Sequence, residues 1–246
     1  MLQRDLAPGI HRVEDAFTNW YLIDDAGRLT IVDAGLPRSW RSVHAALSEL
    51  GRRPQDVDAI VLTHAHFDHV GFAERARREW RVPVWVHERD ESLSRHPLHY
   101  EHEHSKLRHL KDPRGLLVLA TMAVNGMPVT RGVQEVRGFS GEPELDVPGR
   151  PRPVFAPGHT HGSVALHLPE HGVLLAGDAL VTLDPYTGRK GPRIVSGAAT
   201  ADSRQAIASL QALAETGAQT VLPGHGDPWT GGVVEAVARA REAGPG

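Results

Sequence analysis

The first part of the chain alternates short apolar runs with turn residues. Residues 10–13, 20–23 and 29–32 each have the length and the branched or aromatic content of a β-strand. Apolar positions then recur at helical spacing between Pro37 and Gly51, two residues that favour the beginning and the end of a helix. The pattern therefore predicts a meander of strands followed by a helix.

Strands and helices then alternate along the chain. A buried strand is predicted at residues 57–62, a helix at 72–80 and a further strand at 82–86, an order typical of α/β structure. In the second half, Gly, Pro and His turns separate three more strand-like runs, at residues 153–155, 164–168 and 173–175. These runs predict an antiparallel meander on another sheet.

The second half is predicted to end with helices around one more strand. Asp202 is expected to cap a helix over residues 203–215, with Gln205 in the reciprocal position of a capping box. A last strand is predicted at 220–222 and a last helix at 233–241. Each half of the chain is thus expected to combine a sheet with helices.

The segment at about residues 88–148 differs in character from both halves. It combines a charged, histidine-rich stretch that is predicted to be helical, an apolar run at 116–124 and turn residues. We interpret it as an insertion within a single domain of residues 1–246. Residues 95–135 are expected to form the wall and lid of a pocket.

The composition of the chain argues against several classes of protein. A net charge of −3, from 27 Lys and Arg against 30 Asp and Glu, predicts no strong attraction to nucleic acid or to an anionic membrane. Cysteine is absent, which excludes disulfides and thiolate metal ligands. The first residues lack the apolar core of a signal peptide, and the run at 116–124 is shorter than the roughly 18 residues of a membrane helix. We expect a cytoplasmic protein with a small-molecule substrate. The sequence does not determine its oligomeric state.

Histidine is unusually frequent, with 16 residues, and its placement indicates chemistry. A motif directly after the strand predicted at 57–62 carries three imidazoles and one carboxylate, from His64, His66, Asp68 and His69. Burial of several imidazoles beside one carboxylate would leave ring nitrogens unpaired unless a cation bound them. The motif therefore favours a metal site over a purely structural cluster.

Three further residues supply matching donors in the second half of the chain. His159, Asp178 and His225 each follow a strand-like run and a glycine, which lets the backbone turn closely. Together with the first motif they make five histidines and two aspartates. Donors of this kind and number suit two metal ions of borderline softness.

These motifs resemble those of the metallo-β-lactamase fold superfamily. They occur in the same order, with Asp33 after a strand, the motif from His64 to His69, and then His159, Asp178 and His225. The resemblance covers about residues 10–228. It implies an α+β fold, a four-layer αβ/βα sandwich in which two mixed β-sheets pack face to face with helices on the outer faces. It also implies a metal pair at the shared edge of the sheets.

The resemblance assigns the metal ligands to two sets. The implied ligands of the first ion are His64, His66 and His159. The implied ligands of the second ion are Asp68, His69 and His225. Asp178 would bridge both ions. This donor set suits two Zn²⁺ per chain, although Fe or Mn accept similar ligands.

The implied chemistry is hydrolysis by a metal-bridging hydroxide. Asp68 could also pass a proton to the leaving group. Asp33 would orient a ligand imidazole, or would be a turn residue at the end of a strand. Because this chain has no Cys and does have Asp178, antibiotic hydrolysis is disfavoured. Lactonases of this fold place a tyrosine three residues after the bridging aspartate. This chain has Val181 there and so departs from the lactonase pattern at that position.

The predicted function is therefore a dinuclear metal-dependent hydrolase acting on a small ester, lactone or thioester. One alternative is a mononuclear iron dioxygenase of the persulfide-oxidising kind, which uses two His and one Asp of the same fold. A phosphodiesterase is another alternative, and a non-catalytic metal-binding module ranks last.

Other polar groups near the motifs carry weaker signals. Tyr186 and His161 are candidate residues of the substrate pocket. The loop with Arg189, Lys190 and Arg193 could recognise an acidic substrate, although an ordinary exposed loop is slightly favoured. A second histidine group alternates with charged residues and is expected to form a solvated helix face: His96, His99, His102, His104 and His109.

Overall fold

The computed structural model describes residues 1–105 and 113–245. The first part of the chain forms a seven-stranded sheet whose strands lie side by side in chain order. They are β1 (Leu2–Ala7), β2 (Ile10–Asp15), β3 (Thr18–Asp25), β4 (Arg28–Val32), β5 (Val57–Val61), β6 (Val84–His87) and β7 (Arg137–Phe139). Neighbouring strands pair antiparallel from β1 to β4 and parallel from β4 to β7, so the sheet is mixed.

The second half supplies a four-stranded sheet and a separate hairpin. Its strands are β8 (Arg152–Phe155), β9 (Val164–Leu168), β10 (Val173–Gly177), the hairpin strands β11 (Val181–Leu183) and β12 (Lys190–Arg193), and β13 (Thr220–Pro223). Strands β8 to β10 form the predicted antiparallel meander, and β13 pairs with β10 in parallel. This sheet is therefore mixed as well.

Helices follow the strands of both sheets. Those in the described ranges are α1 (Trp40–Glu49), the single turn α2 (Phe67–Val70), α3 (Ala73–Trp80), α4 (Glu91–Arg95), α5 (Pro113–Val124), α6 (Ser203–Ala214) and α7 (Val233–Ala243). The predicted cap of α6 is present, because the side chain of Asp202 accepts a hydrogen bond from the backbone N–H of Gln205. Over the same ranges, no helix combines the length and the apolar character needed to cross a bilayer.

The two sheets pack face to face through a shared hydrophobic core. Tyr21 and Ile23 of β3 belong to the same buried cluster as Leu166 of β9 and Leu175 of β10. Side chains of a strand alternate between the two faces of its sheet, so the residues between these positions point the other way. Burial on both faces therefore requires a second layer outside each sheet.

Helices provide these outer layers. Leu22 of β3 packs in a cluster with Leu47 of α1, on the outer face of the first sheet. On the outer face of the second sheet, Leu174 of β10 packs in a cluster with Leu210 of α6 and Val237 of α7. The layers are thus helices, sheet, sheet and helices, which confirms the predicted sandwich.

Several elements were absent from the sequence-based prediction. Strand β1, the short strand β7 and the hairpin of β11 and β12 were not predicted. Because β7 pairs with β6, the segment at 88–148 contributes a strand to the first sheet as well as loops. The predicted strand at 82–86 begins at Val84 and extends to His87.

The histidine-rich stretch is not the helix that its spacing of three suggested. Helix α4 ends at Arg95, and His96 has φ −133° and ψ 57°, which is outside the helical region. Pro97 follows directly, and a proline disfavours helical geometry at the residue before it. His96, His99, His102 and His104 therefore share no helix face, and His109 lies outside the described residues.

Candidate metal centre

The candidate ligands lie in loops at the ends of strands. The motif from His64 to His69 follows β5 and continues into α2, and His159 lies in the turn between β8 and β9. Asp178 directly follows β10, and His225 comes two residues after β13. Because β10 and β13 are parallel neighbours, their carboxyl ends present both side chains at the same edge of the sheet. All of these side chains are buried.

The side chains meet in three overlapping groups, within each of which the donor atoms lie within 4.8 Å of one another. One group is His64, His66 and His159. Another is Asp68, His69 and His225. The remaining group is His64, His69 and Asp178. The structure thus gathers all seven residues selected from the sequence, and the first two groups match the two ligand sets that the resemblance implies.

Asp178 touches both ligand sets. Its Oδ2 atom lies 3.4 Å from Nε2 of His159 and 3.3 Å from Nε2 of His225. Its Oδ1 atom lies 3.6 Å from Nε2 of His69. Asp178 is therefore the carboxylate that both ligand sets would share.

Hydrogen bonds at Nδ1 orient two of the imidazoles. Nδ1 of His225 lies 2.7 Å from the carbonyl oxygen of Phe17, which only accepts, so this nitrogen carries a proton. Nδ1 of His69 lies 2.9 Å from Oδ2 of Asp33, an acceptor of the same kind. In the neutral form, each ring therefore presents the lone pair of Nε2 to the cluster.

Threonine hydroxyls orient two further imidazoles. Nδ1 of His64 lies 3.1 Å from Oγ1 of Thr63, and Nδ1 of His159 lies 3.2 Å from Oγ1 of Thr200. Each hydroxyl donates its own proton elsewhere, Thr63 to Asp33 and Thr200 to the carbonyl oxygen of Val195. The hydroxyls therefore accept the Nδ1 protons, which again leaves Nε2 facing the cluster.

Several of these inward-facing atoms are buried without a hydrogen bond. Within the described ranges, they include Nε2 of His64, His69 and His159 and Oδ1 of Asp178. A buried polar atom without a partner costs free energy, and native proteins contain few of them. Nitrogen and carboxylate donors aimed at one centre fit divalent cations, so the residues of this site suit a metal pair.

Charges in the cluster shift the pKa values of its members. Burial alone would raise the pKa of Asp68, but His69 and His225 lower it to about 2. Burial would lower the pKa of His69, but Asp33, Asp178 and Asp68 raise it to about 9. These shifts favour an ionised Asp68 and, in the metal-free cluster, a protonated His69, so the nearby carboxylates favour positive charge at this centre.

Two glycines allow the ligand loops to approach one another. A Cβ atom on Gly224 would lie 2.1 Å from Oδ1 of Asp178 and 2.8 Å from Cε1 of His69. Gly177 has a φ of 50°, and a Cβ atom there would lie 2.4 Å from Oγ1 of Thr63. Any other residue would displace a ligand or the threonine that orients one.

Asp33 combines the two roles that the sequence left open. It has a φ of 62°, so it does form a left-handed turn at the end of β4. Its carboxylate also accepts hydrogen bonds from the backbone N–H and the hydroxyl of Thr63, both at 2.8 Å, besides contacting His69. The side chain is therefore placed to orient both His69 and Thr63.

Replacement of Asp33 by Asn tests this arrangement, because asparagine tolerates the left-handed backbone but has only one acceptor oxygen. We expect Asp33→Asn to weaken metal binding or activity by about 10- to 100-fold, as is typical when the partner of a ligand imidazole is lost. Competition with a chelator measures the affinity. The control, Asp146→Asn, makes the same change at an exposed position. Equal affinities of the two variants would contradict the orienting role.

Asp90 is a buried residue of the site that sequence reasoning missed. Its Oδ2 atom accepts hydrogen bonds from the backbone N–H of Ala65 at 3.0 Å and from the hydroxyl of Thr160 at 2.7 Å. Its Oδ1 atom accepts from the N–H of Gly162 at 2.8 Å. Asp90 thus joins the loop of His64 and His66 to the loop of His159. The sequence did offer a signal for this role. Asp90 comes shortly after β6, which is the parallel neighbour of β5, so both strands end at the same edge of the sheet.

Tyr186 lies beside the candidate ligands and is buried. It lines a narrow cleft together with Asp68, Asp178 and His225. Its hydroxyl is 2.7 Å from the hydroxyl of Tyr100, whose ring packs on that of His66 with centroids 4.3 Å apart. Burial raises the pKa of Tyr100 to about 12 and that of Tyr186 well above 10, so both phenols stay protonated at neutral pH.

A larger cavity of about 380 Å³ opens on the side of His66 and His159. His161 lies in its wall and is half exposed, with Nε2 3.2 Å from a carboxylate oxygen of Glu101. His96 and His99 also line this cavity. Within the described ranges these histidines belong to none of the close donor groups, so the second histidine group forms no second metal site there.

The basic loop after Tyr186 lies on the hairpin of β11 and β12. Arg189 and Lys190 are exposed. The guanidinium group of Arg193 donates to the carbonyl oxygens of Gly191 and Lys190, at 3.2 and 2.9 Å. These contacts are those of an ordinary surface hairpin.

Comparison with known proteins agrees with the fold and the donor set, which together define a metal-dependent hydrolase. Residues 13–225 match the family model described as the Metallo-beta-lactamase superfamily, and the chain belongs to this superfamily. It is 28% identical over 240 residues to "Probable metallo-hydrolase YflN" of Bacillus subtilis, an alignment that covers 92% of this chain and 87% of that protein.

Solved structures show the same fold. The metallo-beta-lactamase family protein TTHA1429 from Thermus thermophilus is 29% identical and superposes with a TM-score of 0.69, over 95% of this chain and 78% of that chain. The protein TTHA1623 in a di-iron-bound form is 25% identical with a TM-score of 0.62, over 93% of this chain and 96% of that chain.

Proposed function

We propose that this chain is a dinuclear metal-dependent hydrolase that cleaves a small ester, lactone or thioester. One observation carries the proposal: buried imidazole nitrogens and the carboxylate of Asp178 converge on one centre, where several of them lack hydrogen bonds. The ligand sets are His64, His66 and His159 on one side and Asp68, His69 and His225 on the other, with Asp178 between them.

The proposed metal is zinc, because imidazole and carboxylate donors suit it, and iron or manganese would accept the same set. A relative of known structure supports a pair of ions, since TTHA1623 binds two irons. When bound, such a pair lowers the pKa of water and polarises the attacked carbonyl group.

The residues of the chain provide the proton transfers and the orientation of the substrate. Asp68 lines the cleft as a carboxylate, with Oδ2 3.3 Å from Nε2 of His225. It is placed to accept the proton of the attacking water and then to pass it to the leaving group. Tyr186, whose phenol is protonated, lines the same cleft and would donate a hydrogen bond to the substrate carbonyl.

The proposed lid at residues 95–135 contributes to the same site. Tyr100 contacts both His66 and Tyr186, and Met122 of α5 lines the narrow cleft. Backbone of α5 packs closely on the Tyr186 loop, because a Cβ atom on Gly115 would overlap the carbonyl oxygen of Tyr186. The segment therefore supports the pocket wall, where loops of a fixed scaffold usually determine specificity.

Turnover of a substrate panel tests the proposed function. Protein loaded with zinc, manganese or iron is assayed on lactones, esters, thioesters, phosphodiesters and β-lactams. We expect at least one ester, lactone or thioester to be cleaved above the metal-free rate, and His66→Ala to abolish that activity without loss of secondary structure. His171→Ala, at an exposed turn, is the matched control. Faster cleavage of phosphodiesters would instead support the alternative reaction of the same site.

Two further results would contradict hydrolysis. A single iron per chain, together with oxygen uptake that depends on glutathione persulfide, would assign the chain to the dioxygenases. Loss of folding on metal removal, with no turnover of any panel member, would indicate a structural metal site.

The hydrogen-bonded hydroxyls of Tyr100 and Tyr186 give a prediction about single residues. If Tyr186 donates a hydrogen bond to the substrate, Tyr186→Phe should lower kcat/KM by about 10- to 150-fold, which corresponds to about 1.5–3 kcal/mol of transition-state stabilisation. Tyr100→Phe removes the same bond between the two hydroxyls but leaves the Tyr186 hydroxyl in place, and we expect a smaller loss. Equal losses in both variants, with equal losses of thermal stability, would assign the pair a structural role only.

A further inference from the structure

The cavity of about 380 Å³ beside His66 and His159 has a wall of mixed character. Leu93, Ala201 and the ring of Tyr100 form an apolar part of its lining. Arg89, His96 and His99 form a polar part. The lining therefore offers contacts both to an aliphatic chain and to a polar or charged group.

Both carboxylates in the wall already have partners. Asp90 accepts hydrogen bonds from Ala65, Thr160 and Gly162. Glu101 lies 3.2 Å from Nε2 of His161. Neither carboxylate forms an ion pair with Arg89.

The exposed side chain of Arg89 packs on an aromatic ring. Its guanidinium carbon lies 5.2 Å from the centroid of the Phe155 ring, and His87 stacks on Phe155 with centroids 4.7 Å apart. Across the described ranges, Arg89 forms no ion pair with a carboxylate. A guanidinium packed on a ring in this way keeps its N–H donors at the edge, where they can bind a carboxylate with two hydrogen bonds.

We propose that Arg89 binds a carboxylate of the substrate at the end remote from the scissile bond. The substrate class would be the half-ester or half-thioester of a short dicarboxylic acid, with its acyl chain along Leu93 and Tyr100 and its ester carbonyl near His66 and His159. This assignment rests on the proposed hydrolysis and specifies its substrate.

Kinetics of matched ester pairs test the substrate class. The probes are p-nitrophenyl half-esters of succinate, glutarate and adipate, each compared with the neutral carboxamide of equal length, and the rates of metal-free protein are subtracted. We expect kcat/KM of the metal-loaded enzyme to favour the carboxylate by about 10- to 100-fold at one chain length. Arg89→Ala should remove this preference, and Arg89→Lys should retain part of it. Arg95→Ala is the matched control, because Arg95 is exposed at the end of α4 and does not line the cavity.

Binding to metal-free protein separates this inference from the proposed hydrolysis. NMR titration with monomethyl glutarate, compared with dimethyl glutarate, reports on the carboxylate site without turnover. We expect tighter binding of the monoester and a loss of about tenfold or more in Arg89→Ala. Binding of this kind without turnover of any ester would sustain the carboxylate site and contradict the hydrolase. Ester turnover with no preference for the carboxylate, or with a preference that survives Arg89→Ala, would overturn the inference alone.

Discussion

Replacement of Asp178 by Asn is expected to abolish hydrolysis while the fold is retained. Asp178 is the one carboxylate whose oxygens approach both proposed ligand sets, at 3.4 Å from Nε2 of His159 and 3.3 Å from Nε2 of His225, within the described ranges. An amide of the same shape removes the negative charge and one acceptor atom. We expect a loss of at least about 1000-fold in kcat, equivalent to about 4 kcal/mol of transition-state stabilisation, and weaker binding of the metal pair.

The variant should fold because the side chain lies at a sheet edge and not between the sheets. Circular dichroism and thermal unfolding check the fold, and steady-state kinetics with metal-loaded protein check the activity. Asp146→Asn, an exposed aspartate, controls for the change of charge. Activity of Asp178→Asn within tenfold of the unmodified enzyme would show that Asp178 does not bridge the metal ions.

A methyl group on Gly224 is expected to damage the same centre by displacing its ligands. Its Cβ atom would lie 2.1 Å from Oδ1 of Asp178 and 2.8 Å from Cε1 of His69, closer than real Cβ contacts occur. Since His225 follows directly, the loop cannot move away without shifting a third proposed ligand. We expect Gly224→Ala to lower metal affinity and kcat/KM by at least about 100-fold, and to reduce stability by about 1–3 kcal/mol through overpacking.

A matched alanine substitution isolates the steric effect. Gly231→Ala introduces the same methyl group away from the proposed ligands. The atoms it meets there are the end of the Glu235 side chain, which can rotate away, and the edge of the Trp229 ring at 3.0 Å. We expect that control to retain its metal and its activity. Full metal occupancy and normal kinetics in Gly224→Ala would contradict the close packing of the ligand loops.

Local sequence patterns were sufficient for the main elements of the fold. The alternation in β3 buries Tyr21 and Ile23 between the sheets and places Trp20 and Leu22 against the helices. The cap formed by Asp202 was recognisable because its partner is three residues away. Strand β7 has only three residues, and its place in the sheet depends on pairing with β6, which is about 50 residues earlier. No local pattern specifies such a strand.

The candidate site also divides into residues that local motifs reveal and residues whose roles depend on distant segments. The donor residues were recognisable because they occur in compact motifs, and the structure brings all seven together. Asp90 and Tyr100 were missed because their roles depend on contacts with distant segments, such as the 86-residue separation between Tyr100 and Tyr186. The histidine spacing after residue 95 suggested a helix, and Pro97 prevents it.

The metal content of the purified chain tests the central claim most directly. Protein produced with zinc, iron and manganese in the growth medium is dialysed and analysed by inductively coupled plasma mass spectrometry, with the protein concentration measured by amino-acid analysis. Two ligand sets that share Asp178 predict two metal ions per chain. One ion or fewer, under conditions in which the protein is folded and its ligands are unmodified, would contradict the dinuclear centre.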